Sequence, residues 1–236
     1  MPYQYIASSA TPRLLILLTD ELEESVKLVN SLINRMILSN LDGNAPKNRC
    51  FISVIGYNHK VNELCSGWLK DLDARPLRYE TLKKKTPDGV EVEVLQPVWV
   101  SPSNSQQQYK AYTESIKLAT GLACLWSEDN VISPIVIDIS EECHAYSAVN
   151  EIESLKEIST KDGNVLFFGS YSKYEDVVSP IFSRMPEQWK WLFRNREEIE
   201  KKYFHNGILD REKIFPIISY IIYTGGLQSG FLGFTI

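Results

Sequence analysis

Carboxylates crowd two short stretches of this chain. In Thr19-Asp20-Glu21-Leu22-Glu23-Glu24, acids directly follow the apolar run Leu14-Leu-Ile-Leu-Leu18, and Glu141-Glu142 directly follows Pro134-Ile-Val-Ile-Asp-Ile-Ser140. Acids gathered at one point can hold a hard divalent cation through oxygen ligands. Without a cation they repel, and at least one of their pKa values rises. Turned outward, they form a negative rim that steers a basic partner, acting more on association rate and orientation than on affinity. A divalent-metal phosphatase or phosphotransferase using Asp20, Glu21 and Glu141 would also need a phosphate anchor or a nucleophile, and the sequence offers no convincing one.

The other reactive residue types carry less. Cys143-His144 suggests a thiol and its base, but neighbours on an extended chain point apart and no third group orients them. A loop cysteine and a surface histidine are expected. His59 and His205 each adjoin an asparagine in a turn-like context, without metal-ligand spacing. Cys50, Cys65, Cys124 and Cys143 show no CxxC spacing, which fits reduced thiols in a cytoplasmic protein. The run Lys83-Lys84-Lys85 is read as solvated, with an acidic or phosphorylated partner as the alternative. Gly225-Gly226 and Gly230 lack the lysine, hydroxyl and following helix of a phosphate loop.

Positioning these residues falls to a regular alternation of elements. The short apolar runs at 14–18, 50–56 (CFISVIG), 134–140 and 165–169 read as strands buried on both faces. Apolar residues at helical spacing mark helices over 26–38, 109–125 and 148–158. The turn Tyr57-Asn58-His59-Lys60 is too short for a parallel crossover, so Val61 to Leu69 is expected as an antiparallel edge strand. Residues 70–104 read as an irregular excursion, with Val90-Glu91-Val92-Glu93-Val94 alternating like a half-exposed hairpin arm. The sum is an α/β fold: three layers, α/β/α, doubly wound around a mainly parallel sheet with one antiparallel edge. In such sheets ligands are held beyond the carboxyl ends of the strands, where Thr19, Asp20, Glu21, Glu23 and Glu141 fall.

With 236 residues the chain suffices for one large domain with an extension, and we expect the division 1–193 and 194–236. Its 44% hydrophobic and 23% charged residues are ordinary for a soluble protein. A net charge of −5 argues against general nucleic-acid binding, which wants a basic face. A signal peptide is not expected, since no positively charged region is followed by an apolar core and a cleavage site at the N-terminus. Residues 215–236 carry no charge, but four glycines and a proline make a membrane-crossing helix poor there. A short helix over 214–223 with a packed tail is expected, a tail anchor or membrane-tethered scaffold being the alternative.

The order of these strings resembles a von Willebrand factor A domain of the bacterial intracellular, TerY-like kind. Leu14–Leu18 with its polar cluster, Cys50–Gly56, Pro97-Val-Trp-Val-Ser-Pro102 and Pro134–Ser140 carry the likeness over about residues 12–193. The resemblance implies a Rossmann-like sheet and a metal-ion-dependent adhesion site, Asp-x-Ser-x-Ser with a loop threonine and a later aspartate. Here Thr19, Glu21 and Glu23 stand at the first three positions, Gln108 at the threonine and Glu141 at the last. A frame one residue later recovers Asp20 but brings Leu22 and Glu24 to the serine positions. Three carboxylates would largely cancel a cation's charge and leave little attraction for a partner's acid. The expectation is therefore a degenerate site without a cofactor, a magnesium held by Glu21, Glu23 and Glu141 being the alternative. The resemblance implies a non-catalytic adaptor binding another protein, such as a kinase, phosphatase or effector of a bacterial stress-response, signalling or defence assembly. Its contact residues would be Thr19, Asp20, Glu21, Glu23, Gln108 and Glu141.

Overall fold

The computed structural model describes residues 5, 7–85, 88–103, 109–173, 181–183, 204–205 and 208–211. Strand β1 (Arg13–Thr19) is buried along its whole length, as the apolar run Leu14–Leu18 at its centre requires. Helix α1 (Glu23–Ser39) follows; after two short strands, β2 (Leu41–Asp42) and β3 (Ala45–Pro46), the chain enters β4 (Cys50–Gly56). β4 pairs with β1 in parallel, from Arg13 opposite Cys50 to Thr19 opposite Gly56. β5 (Asn62–Trp68) returns antiparallel along β4, the only pairing so short a turn permits.

The excursion is more regular than its sequence suggests. It comprises a short helix, α2 (Leu69–Ala74), and a hairpin of β6 (Arg78–Lys85) and β7 (Glu91–Val98). These two strands pair with each other, Arg78 opposite Val98 and Lys83 opposite Glu93, which sets opposite charges across the ladder at Lys83. Helix α3 (Tyr109–Asp129), strand β8 (Ile135–Glu142), helix α4 (Val149–Glu157) and strand β9 (Leu166–Lys173) complete the alternation. The main sheet has five strands in the order β5-β4-β1-β8-β9, parallel except for β5 at its edge. This is the three-layer, Rossmann-like α/β architecture expected from the alternation.

Two apolar layers flank the sheet because successive β1 side chains point to opposite faces. Leu15 and Leu17 meet Val29, Ile33 and Met36 of α1 on one face, while Leu14, Ile16 and Leu18 meet Ile116 and Ala119 of α3 and Ile152 of α4 on the other. Burying each such side chain stabilises the fold by about 1.5–3 kcal/mol. At the amino end of the sheet, buried Arg13 pairs with buried Asp162 at 3.5 Å and donates to the Ser133 carbonyl.

Beyond β9, the described part of the extension is a hairpin of β10 (Phe204–His205) and β11 (Ile208–Leu209). Ile208 and Leu209 are buried, and Ser170 of β9 donates to the Leu209 carbonyl at 3.2 Å. The expected helix over 214–223 lies outside the described residues. Among the described residues, no helix is long and apolar enough to cross a membrane.

Candidate functional site

At the carboxyl end of β1 the chain turns sharply, and Asp20, Glu21 and Glu23 there each find a different partner. Asp20 is fully buried. One carboxylate oxygen accepts the Leu22 amide at 3.1 Å and the other accepts the Glu141 amide at 2.7 Å. The first bond is the local turn that aspartate makes with its own backbone two residues on; the second ties β1 to β8 across 121 positions. Asp20 thus serves as the clamp of this edge.

Glu21 has left-handed backbone, φ 59°, which costs a non-glycine residue about 1–2 kcal/mol. Three bonds hold it there: its amide donates to Thr19 Oγ1 at 3.3 Å, its carbonyl accepts from the Ser103 amide at 2.9 Å, and its Oε1 accepts from the Asn58 amide at 3.2 Å. The side chain folds back over Gly56, where a Cβ would stand 2.5 Å from Oε1. A side chain at the end of CFISVIG would therefore displace the Glu21 carboxylate from its seat. Burial pushes the Glu21 pKa up, with help from Asp20, while the Asn58 amide opposes the rise. Thr19, also buried, accepts the Tyr57 amide at its carbonyl.

Glu23 stands in the exposed first turn of α1 and pairs with Lys27 at 2.8 Å, as Glu24 does at 2.9 Å. Acids there suit the helix N-terminus. Glu141, expected just past the strand, lies within β8, and its carboxylate pairs with Lys173 of β9. Glu21, Glu23 and Glu141 therefore engage three separate partners rather than one point. Among the described residues no group of three His, Cys, Asp or Glu is placed to hold a metal ion. Gln108 lies outside the described residues.

Beneath this edge lies a cluster that sequence reasoning missed. Asp138, fully buried on β8, accepts the Tyr57 hydroxyl at 2.9 Å and the Tyr171 hydroxyl at 2.7 Å. Buried Tyr112 from α3 packs edge-on to Tyr57, with ring centres 5.1 Å apart. Burial pushes Asp138 up to about 7 against the lowering effect of the tyrosine hydroxyls. His144 is not a surface residue; its ring packs on Tyr57 and Tyr112, and burial lowers its pKa. The available signal was one acid inside the apolar run PIVIDIS, since a carboxylate facing a core needs hydroxyl or amide partners.

Two further polar residues position the edge. Asn30, buried on the apolar face of α1, accepts the amides of Trp99 and Val100 at 2.9 and 3.1 Å and donates to the Val100 carbonyl at 2.9 Å. It fastens the return of the hairpin to the helix that starts at the acid edge. Arg211, just after β11, donates from Nη2 to the buried Ser25 hydroxyl of α1 at 3.1 Å.

No protein-family model matches the chain, and no curated protein matches it significantly. The arrangement itself can do two things chemically: clamp its own loops through inward carboxylates, and face a partner with outward ones.

Proposed function

We propose that this chain is a non-catalytic, protein-binding domain of von Willebrand A type that docks a partner at the carboxyl edge of its sheet. One observation carries the reading: the inward acid, Asp20, spends both oxygens on backbone amides, while Glu23, Glu24 and Glu142 face solvent around it. A carboxylate committed to two amides organises a surface, and an acid rim around it attracts a basic partner segment. Strain at Glu21 points the same way, because unfavourable backbone persists where a site over-determines it. The sheet order, with its single antiparallel edge, is compatible with the family resemblance, and from that resemblance the proposal takes a place in a bacterial stress-response, signalling or defence assembly. The partner is another protein, such as a kinase, phosphatase or effector.

The test is charge reversal at the exposed acids, which leaves the clamp intact. E23K/E142K should slow association with a partner recovered on the wild-type chain by about tenfold at low salt, with a smaller effect on dissociation. Association kinetics identical to wild type at all salt concentrations would remove the basis of the proposal.

A further inference from the structure

A cation of the same chain sits beside the acid edge. The β10–β11 hairpin seats on β9 through Ile208, Leu209 and the Ser170 hydroxyl, and the next turn brings Arg211 across to α1. Its guanidinium reaches Ser25, 186 positions earlier, in the first turn of the helix that starts beside Asp20 and Glu21. Burial lowers its pKa, and the nearby charges of Asp20, Glu141 and Glu24 only partly oppose that shift. Nη2 has its acceptor, yet Nε is buried and makes no hydrogen bond among the described residues. Leaving such a donor unmade costs about 1–3 kcal/mol, so the seat holds Arg211 without satisfying it.

We propose that Arg211 is an internal ligand that closes the acid edge, and that the partner opens it by placing an arginine of its own where Arg211 sits. This rests on the protein-binding reading above and names the chemistry of the partner: a guanidinium on a protruding segment. Arginine suits the place better than lysine because a planar fork of donors can reach a hydroxyl and a carboxylate together, and because it sheds water more readily than an ammonium. The exchange is between like ligands, so the Ser25 hydroxyl keeps a guanidinium donor throughout. The strap is therefore a competitor that raises the threshold for docking, removed when the partner supplies the better-satisfied fork.

The experiment uses the full chain as wild type, R211Q and R211K, titrated by NMR with the blocked peptide acetyl-Gly-Arg-Gly-amide and its lysine counterpart. In R211Q the arginine peptide should shift the amides of Leu22, Ser25 and Glu141 with at least about tenfold tighter binding than in wild type, and the lysine peptide should bind more weakly. R211K keeps a charge over the edge and guards against loss of fold; it too should admit the arginine peptide better than wild type. Equal affinity of the arginine peptide for all three proteins would overturn the proposal, as would equal binding of the arginine and lysine peptides. Should both variants ignore the peptide while E23K/E142K still slows the partner, the internal ligand is wrong and the docking reading stands. Should the variants take the peptide while charge reversal leaves the partner's kinetics unchanged, the docking reading fails instead.

Discussion

Asp138→Asn should remove a pH dependence of stability that wild type carries. The carboxyl is fully buried, and its pKa is raised from an ordinary 3.8 to about 7. A carboxyl raised in the folded state adds stability that is fully present below its unfolded pKa and is lost as pH rises through the folded value. The interval from 3.8 to about 7 corresponds to a total on the order of 4 kcal/mol, of which roughly 3 kcal/mol falls between about pH 5 and pH 8. Asparagine has nearly the same shape, keeps one acceptor for a tyrosine hydroxyl and does not titrate. Its cost from mismatched hydrogen bonding to Tyr57 and Tyr171 is therefore a constant offset. The assay is urea unfolding of both proteins at intervals across that range. Taking the difference between them cancels His144, whose depressed pKa acts with the opposite sign, and Glu21, whose raised pKa acts with the same one. The difference should move toward the variant by roughly 3 kcal/mol from acid to alkaline pH. Parallel curves would refute the reasoning, since they would mean that Asp138 is ionised across the whole range or neutral across it.

Other expectations follow from single contacts. Gly56→Ala places a Cβ against the Glu21 carboxylate and should destabilise the protein by about 1–3 kcal/mol, seen as a lower Tm, with the Glu21→Ala background recovering part of the loss. Asn30→Ala leaves the amides of Trp99 and Val100 without their acceptor, which should cost about 1–3 kcal/mol and speed proteolysis within the 78–98 hairpin more than elsewhere. Of the free thiols, exposed Cys124 should react first with a disulfide reagent, and buried Cys50, with its pKa pushed up to about 12, only on unfolding. Thiol counting in native buffer and in denaturant checks this.

The main sheet was readable because its cause is local. The runs at 14–18, 50–56 and 134–140 are mostly apolar on both faces, and the short turn after Gly56 leaves β5 only an antiparallel course. What could not be read depends on contacts far apart in sequence. Glu141 and Glu142 were expected to end β8, but pairing of Ser140 with Tyr171 and Glu142 with Lys173 carries the strand through them. His144 was expected at the surface, yet rings from residues 57 and 112 enclose it. The three acids that seemed to converge do not, because the left-handed turn at Glu21 swings its side chain over Gly56 and each of the others meets a nearby lysine. Arg211 carried no local signal; only the seating of β11 against β9 brings it to Ser25.

The most direct test of the account is a manganese titration of the full chain followed by paramagnetic broadening of its amide resonances. If Asp20 is committed to the Leu22 and Glu141 amides and the edge works by docking, manganese should broaden exposed carboxylate neighbourhoods weakly and without saturation. Asp20→Asn should leave that pattern unchanged. Saturable broadening centred on Leu22 and Glu141, lost in Asp20→Asn and accompanied by turnover of a phosphate ester, would contradict the account and make this edge a metal-dependent active site.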